Sequence, residues 1–205
     1  MPESHRAPEA AEWDERYTAA ERVWSGEPNG ALVAEVADHE PGRALDVGCG
    51  EGADAVWLAR RGWQVTGLDV SGVAIGRAEH HARDAGVHVT WVHAGLVEAG
   101  LPAGGFDLVS AQYAALRKTP HATVERTLTD LVAPGGTLLV VHHDLDPEHA
   151  DDGGFDPKDY VLLPDVSAAL DASWRIEVDE RRPRSVSGGA GARHTHDRVL
   201  RARRR

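Results

Sequence analysis

The chain has 205 residues, with 22 Lys plus Arg against 33 Asp plus Glu and a formal net charge of −11 with histidine neutral. That length suffices for one substantial core, and the acid excess argues against a nucleic-acid footprint, which needs clustered cations. No apolar run reaches about 18 residues and no signal-peptide pattern is present, so a cytoplasmic protein with no membrane partner is expected. Cys49 is the one cysteine and cannot form an intramolecular disulfide.

In chain order, the residue pattern predicts helices over 9–23 and 30–38, the second with Asn29 as N-cap. Short apolar runs predict strands over 44–47, 64–68, 89–93, 106–111 and 137–142, with helices over 52–61, 73–84 and 121–132 between them. Such alternation indicates a mainly parallel sheet. Pro134-Gly135-Gly136 reads as a turn before the fifth strand, because proline cannot continue a helix and glycine accepts the turn dihedrals. An acidic loop over 144–157 leads to a short helix over 163–172. Two last strands, over 175–180 and 195–202, flank a Ser/Gly segment at 185–191. The run Arg201-x-Arg203-Arg204-Arg205 reads as a solvated terminus or an anion-binding arm.

The most informative segment is Leu45-Asp46-Val47-Gly48-Cys49-Gly50-Glu51-Gly52, with Asp69 closing the next apolar run. A buried strand, a glycine turn and a helix N-terminus together let a ligand lie against bare backbone. Gly48-x-Gly50-x-x-Ala53 also satisfies the dinucleotide fingerprint, with Asp69 at about the 20-residue offset of a ribose carboxylate. Charge separates the two ligand classes. A pyrophosphate is repelled by a carboxylate just before the turn, whereas Asp46 attracts the ammonium and sulfonium of S-adenosylmethionine.

These segments stand in order with Trp13-Asp14-x-Arg16-Tyr17, Val23-Trp24-Ser25-Gly26-Glu27-Pro28-Asn29, Gly67-Leu68-Asp69-Val70-Ser71, Phe106-Asp107-Leu108-Val109 and Leu131-Val132-Ala133-Pro134-Gly135-Gly136-Thr137-Leu138. Together they resemble class I S-adenosylmethionine-dependent methyltransferases, especially the small bacterial group of tellurite-resistance-type and thiopurine-type enzymes. The resemblance implies an α/β, Rossmann-like, seven-stranded, mainly parallel sheet with helices on both faces and a C-terminal antiparallel hairpin. It implies one domain, with 1–40 a helical cap over the cofactor site, 41–143 the donor-binding core, 144–172 a variable acceptor-side insert and 173–205 the strand pair.

By the same resemblance, Asp46, Gly48, Cys49, Gly50 and Asp69 hold the donor, Asp69 accepts both ribose hydroxyls, and Val70 packs on adenine. Cys49 is read as a small side chain in the turn rather than a nucleophile. Many relatives carry an acidic residue after the third strand, but here the run is His93-Ala94-Gly95-Leu96, which leaves adenine to the backbone of Gly95 and Leu96 or to Glu98. Gln112 is a candidate donor contact at the end of the fourth strand. Tyr17 and Trp24 come from the segment that covers the donor pocket, where aromatic faces suit a sulfonium. Trp13 is read as core or staple, and Arg16 as a partner for the donor carboxylate. Relatives often place a histidine two residues beyond the aromatic position; Ala114-Ala115-Leu116 has none, which points to a different acceptor.

Methyl transfer to sulfur or a neutral amine needs alignment above all, whereas a phenol or alcohol usually needs a base. His142 and His143 end the fifth strand, and alternation turns only one of them into the pocket. His143 is favoured by resemblance, so Tyr17 and His143 are the catalytic candidates. His142, His143, Asp144, Asp146, His149, Asp151 and Asp152 match no ordered metal-site spacing, and no metal is expected. The reading is therefore methyl transfer from S-adenosylmethionine to a small-molecule S, N or O acceptor by direct displacement, with S-adenosylhomocysteine as product, by a monomer or homodimer. Alternatives are a catalytically idle donor-binding module and a dinucleotide-dependent oxidoreductase.

Overall fold

A computed structural model of the chain describes residues 6–144, 156–184 and 194–205. Seven strands form one sheet: β1 (Arg43–Val47), β2 (Gln64–Asp69), β3 (Thr90–His93), β4 (Phe106–Gln112), β5 (Val132–His143), β6 (Trp174–Pro183) and β7 (His196–Arg204), in the order β3-β2-β1-β4-β5-β7-β6. The first five run parallel, while β7 is antiparallel to both β5 and β6. The chain winds outward from β1 to β3 and then returns to lay β4 beside β1. This reversal opens a crevice at the carboxyl ends of β1 and β4, where ligands bind in open α/β sheets.

Strand alternation divides the core between the two faces of the sheet. Leu45, Val47, Val109, Leu138 and Val140 pack with Val124, Leu128 and Leu131 of α5 (Thr123–Leu131) and with Leu163 and Val166 of α6 (Leu163–Ala169). Ala44, Val65, Leu108, Leu139 and Val141 face the other way, onto Leu32 and Val36 of α2 (Gly30–Val36) and Ala55, Val56 and Leu58 of α3 (Ala53–Arg60). Burial on both faces explains why the strands read as nearly continuous apolar runs. The remaining helices are α1 (Arg6–Thr18) and α4 (Gly72–Asp84), which pack together through Tyr17 and Ala74, joined by Val23 from the segment after α1.

Several boundaries differ from the sequence expectation, each for a local reason. Helix α1 stops at Thr18 rather than running to Val23, because Arg77 Nη2 takes the carbonyls of Tyr17 and Ala20 at 2.7 and 2.8 Å. The Glu51 carboxylate likewise accepts from the amides of Val23 and Trp24, at 3.1 Å for the latter. Asn29 occupies the N-cap position of α2, but its backbone and side-chain N–H groups donate to Asp54 at 2.7 and 2.8 Å instead of the side chain capping the helix. Helix α5 starts only at Thr123, after a single 3-10 turn in which His121 and Ala122 are left-handed. Pro134-Gly135-Gly136 lies within β5 as a bulge, since the pairing jumps from Phe106↔Val132 to Leu108↔Thr137.

The basic C-terminus is no free arm. Arg201 and Arg204 lie on β7, where Arg201 Nη1 pairs with Glu35 Oε2 at 2.8 Å and Arg204 Nη1 donates to the Val132 carbonyl at 2.6 Å. Asp146, His149, Asp151 and Asp152 of the acidic loop lie outside the described residues. Among the described residues, no helix is long and apolar enough to cross a membrane.

Candidate active site

Three glycines after β1 have positive φ: Gly48 (67°), Gly50 (52°) and Gly52 (83°). A Cβ would also collide at each, 3.0 Å from Ala114 Cβ at Gly48 and 2.8 Å from Ala78 Cβ at Gly52. The turn is held under β2 by the amides of Gly48 and Cys49, which donate to the Leu68 carbonyl at 2.8 and 3.0 Å. The Cys49 thiol points into the protein toward Gly67, and burial pushes its pKa up. Only the backbone of Cys49 is left to face a ligand, and a buried, protonated thiol is no nucleophile.

Asp69 ends β2 and is buried beside the turn. Its oxygens accept from the Gly50 and Ser71 amides at 2.8 and 2.9 Å, so the carboxylate stitches the glycine turn to the start of α4. Asp46 is only 2% exposed and directly neighbours Ser110 across β1 and β4. Its Oδ2 has no hydrogen-bond partner among the described residues, and neither has the Oε1 of Gln112. Gln112 donates instead through Nε2 to Ser110 Oγ at 3.0 Å. Burial raises the pKa of Asp46 well above the usual range, and the nearby charges of Asp54 and Asp69 push the same way. Burial likewise raises Asp54 and Asp69. Unpaired acceptors and clustered carboxylates under one turn favour a ligand that brings donors and positive charge.

The N-terminal segment roofs this turn. Tyr17 Oη and Trp24 Nε1 lie 2.9 and 3.2 Å from the Cβ position of Gly50, and Trp24 Nε1 donates to Tyr17 Oη at 2.9 Å. Burial, then the charge of Asp69, drives the Tyr17 pKa far up, so its hydroxyl stays neutral and able to donate. Trp13 stacks at a tilt beside Tyr17, and the Arg16 guanidinium covers the rings of Trp13 and Trp24. Three attachments hold the roof. Asp14 accepts from Ser71 Oγ and the Val73 amide, Glu51 pairs with Arg77 at 2.8 Å as both grip residues 17–24, and Glu12 pairs with Arg117 at 3.5 Å.

Beyond β3, Ala99 N donates to the Gly95 carbonyl in a single turn, Leu96 is sunk in the core, and Glu98 is exposed near Glu9, whose pKa is raised first by burial and then by the charges of Glu12 and Glu98. Val70 offers its carbonyl to His93 Nε2 at 3.0 Å, depending on tautomer.

At the other side of the crevice, β4 runs into Tyr113, whose φ is 55°. Its hydroxyl donates to Asp197 Oδ2 at 2.7 Å, and its ring stacks on His143 with centroids 4.4 Å apart. His143 Nδ1 lies 3.4 Å from Asp197 Oδ1, and the His194 ring covers its other face at 3.9 Å. The Arg184 guanidinium sits over Tyr113, with Nε 3.6 Å from Asp197. His142 takes the opposite side of the strand, where burial, then the charge of His143, lowers its pKa to about 4. It is neutral near pH 7.

Sequence reasoning named Tyr17, Trp24, Asp46, Gly48, Gly50 and Asp69, which the structure gathers around one turn, and placed His143 correctly at the end of β5. It missed Glu51 and Arg77 as the clamp on the roof. It also missed Asp197, which becomes His143's neighbour only through the β5–β7 register.

Residues 44–136 match the family described as a methyltransferase domain. An uncharacterized methyltransferase of Mycobacterium tuberculosis is 42% identical over 97 residues, 47% of this chain and 48% of its own length. The chain thus spans about half the length of the curated relatives it matches. A solved structure concerned with conversion of a disulfide bond into a thioacetal group during echinomycin biosynthesis superposes with a TM-score of 0.75, covering 95% of this chain and 91% of that one at 23% identity. Magnesium protoporphyrin IX methyltransferase from Synechocystis PCC 6803 with bound SAH gives a TM-score of 0.62, covering 85% and 80% at 22% identity. The chain has the Rossmann-like fold of methyltransferases, and its central segment carries a methyltransferase-domain sequence.

Proposed function

We propose that the chain is an S-adenosylmethionine-dependent methyltransferase acting on a small-molecule acceptor. The observation that carries this reading is the pair of buried oxygens without a hydrogen-bond partner among the described residues, Asp46 Oδ2 and Gln112 Oε1, on adjacent strands beneath a left-handed glycine turn. A dinucleotide pyrophosphate would add negative charge to Asp46, Asp54 and Asp69; an ammonium and a sulfonium offset it. S-adenosylmethionine supplies a methyl group already activated on its sulfonium.

The residues divide the remaining work. Asp69 holds the ribose hydroxyls, Gly48, Cys49 and Gly50 present backbone, and Val70 with the Gly95–Leu96 backbone borders adenine. Tyr17 and Trp24 close over the donor and exclude water, with the neutral Tyr17 hydroxyl as a hydrogen-bond donor. Because both already lie against Gly50, donor entry requires residues 17–24 to shift on their Glu51–Arg77 clamp. His143 takes the acceptor's proton where the acceptor has one to lose. The acceptor is a small molecule that offers a nucleophilic sulfur, nitrogen or oxygen.

The test is transfer of isotope-labelled methyl from S-adenosylmethionine to a panel of thiols, amines, phenols and tellurite, with S-adenosylhomocysteine quantified alongside. Acceptor-dependent release of S-adenosylhomocysteine is expected. Tight donor binding with no turnover on any acceptor would replace this reading with that of an idle donor-binding module.

A further inference from the structure

Asp197 belongs to none of the motifs above, yet it organises the acceptor side of the crevice. It faces His143 directly in the antiparallel β5–β7 register, so the carboxylate reaches the imidazole for a backbone reason. One oxygen lies 3.4 Å from His143 Nδ1; the other accepts from the Tyr113 hydroxyl at 2.7 Å. The Asp197 side chain is 7% exposed, and Arg184 Nε at 3.6 Å offsets its charge. His143 is clamped in the ring plane by Tyr113 on one face and His194 on the other, while 19% of its side chain stays exposed. The charged and titratable groups around it are thus Asp197 of β7, Arg184 just beyond β6, His194 just before β7, Tyr113 just beyond β4, His142 of β5 and Asp144 just beyond it.

We propose that Asp197 is the positioning residue that holds His143 with its proton on Nδ1, leaving Nε2 bare as a base, and that the acceptor is therefore a hydroxyl compound. This rests on the methyltransferase reading. A thiol ionises far more readily than a hydroxyl, an aromatic thiol such as thiophenol being largely ionised near neutrality, and gains little from an oriented base, whereas a phenol or alcohol needs one. In the step, the acceptor oxygen forms a bond to the methyl carbon as the carbon–sulfur bond breaks. S-adenosylhomocysteine leaves as a neutral thioether, and the hydroxyl proton passes to His143 Nε2. The buried carboxylate then faces the imidazolium it has oriented.

The test uses the full chain labelled with 15N-histidine, with His143→Gln to assign the resonance. At pH 8 the wild-type spectrum is expected to show neutral His143 protonated on Nδ1, and Asp197→Asn to shift it toward the Nε2–H form. In parallel, methyl transfer to phenol and to thiophenol is measured. Asp197→Asn and His143→Gln are each expected to lower phenol transfer about 100-fold more than thiophenol transfer, at the lower end of the range for a general base. A Nε2–H tautomer in the wild type, or an equal loss on both acceptors, would overturn the role of Asp197. Wild-type transfer to thiophenol alone, or to neither, would overturn the hydroxyl acceptor. Titration with S-adenosylmethionine keeps the cases apart, since absent binding would overturn the donor reading itself.

Discussion

Replacing Asp46 with Asn should make the chain more stable and bind its donor less well. Asp46 is 2% exposed, its Oδ2 has no partner among the described residues, and Asp54 and Asp69 both raise its pKa. The amide keeps the shape while removing an uncompensated charge. Relief of one unpaired buried group is worth about 1–3 kcal/mol. In a domain of this size that corresponds to a rise in Tm of roughly 2–12 °C. The pH dependence supplies a sharper signature. Because burial raises the folded-state pKa above that of an exposed aspartate, the folded chain binds this proton more tightly than the unfolded chain. The penalty of the charge is thus fully present above the raised pKa and vanishes below the unfolded value. Urea unfolding of wild type and Asp46→Asn should show the variant ahead at pH 7 and the gap closing as pH falls. A variant less stable than wild type at pH 7, or a gap independent of pH, would refute the claim that burying the Asp46 carboxylate costs the unliganded chain stability.

Other perturbations separate the turn from its roof. Asp69→Ala strands the Gly50 and Ser71 amides and should cost about 2–4 kcal/mol in urea unfolding, discounted for relief of the buried carboxylate itself. A loss under about 0.5 kcal/mol would show that these hydrogen bonds do not form in solution. Glu51→Ala removes the acceptor for the Val23 and Trp24 amides, whose hydrogen exchange should approach that of exposed amides while the β1 amides stay protected. Gly50→Ala forces a left-handed alanine, costing about 1–2 kcal/mol, with its Cβ 2.9 Å from Tyr17 Oη. Trp24 fluorescence should report the displaced roof, and an unchanged spectrum would contradict the packing of Tyr17 and Trp24 on the turn.

What the residues disclosed in advance was what local chemistry determines. Gly48, Gly50 and Gly52 mark a turn that L side chains reject, and the runs around Leu45, Val109 and Leu139 mark strands covered on both faces. The end of α1 was not legible, because it is decided by Arg77 and Glu51, whose grip on residues 17–24 crosses more than one element. Asn29 was assigned its N-cap position by residue type, but not its side-chain partner, since Asp54 comes near only once α3 packs on β1. Arg201 and Arg204 looked like a solvated tail until strand pairing laid them against Glu35 and Val132. Asp197 was invisible for the same reason, as an antiparallel register joins residues 54 positions apart. Local pattern thus reaches the donor half, while the acceptor half is assembled by long-range pairing.

The most direct measurement is isothermal titration of the folded chain with S-adenosylmethionine, S-adenosylhomocysteine and NADH in turn. Saturable binding of both adenosyl ligands, weakened in Asp46→Asn and Asp69→Ala and not displaced by NADH, is the expected result. Binding of NADH that survives excess S-adenosylmethionine, or adenosyl affinity unchanged in both folded variants, would contradict the assignment of this turn to a cationic methyl donor.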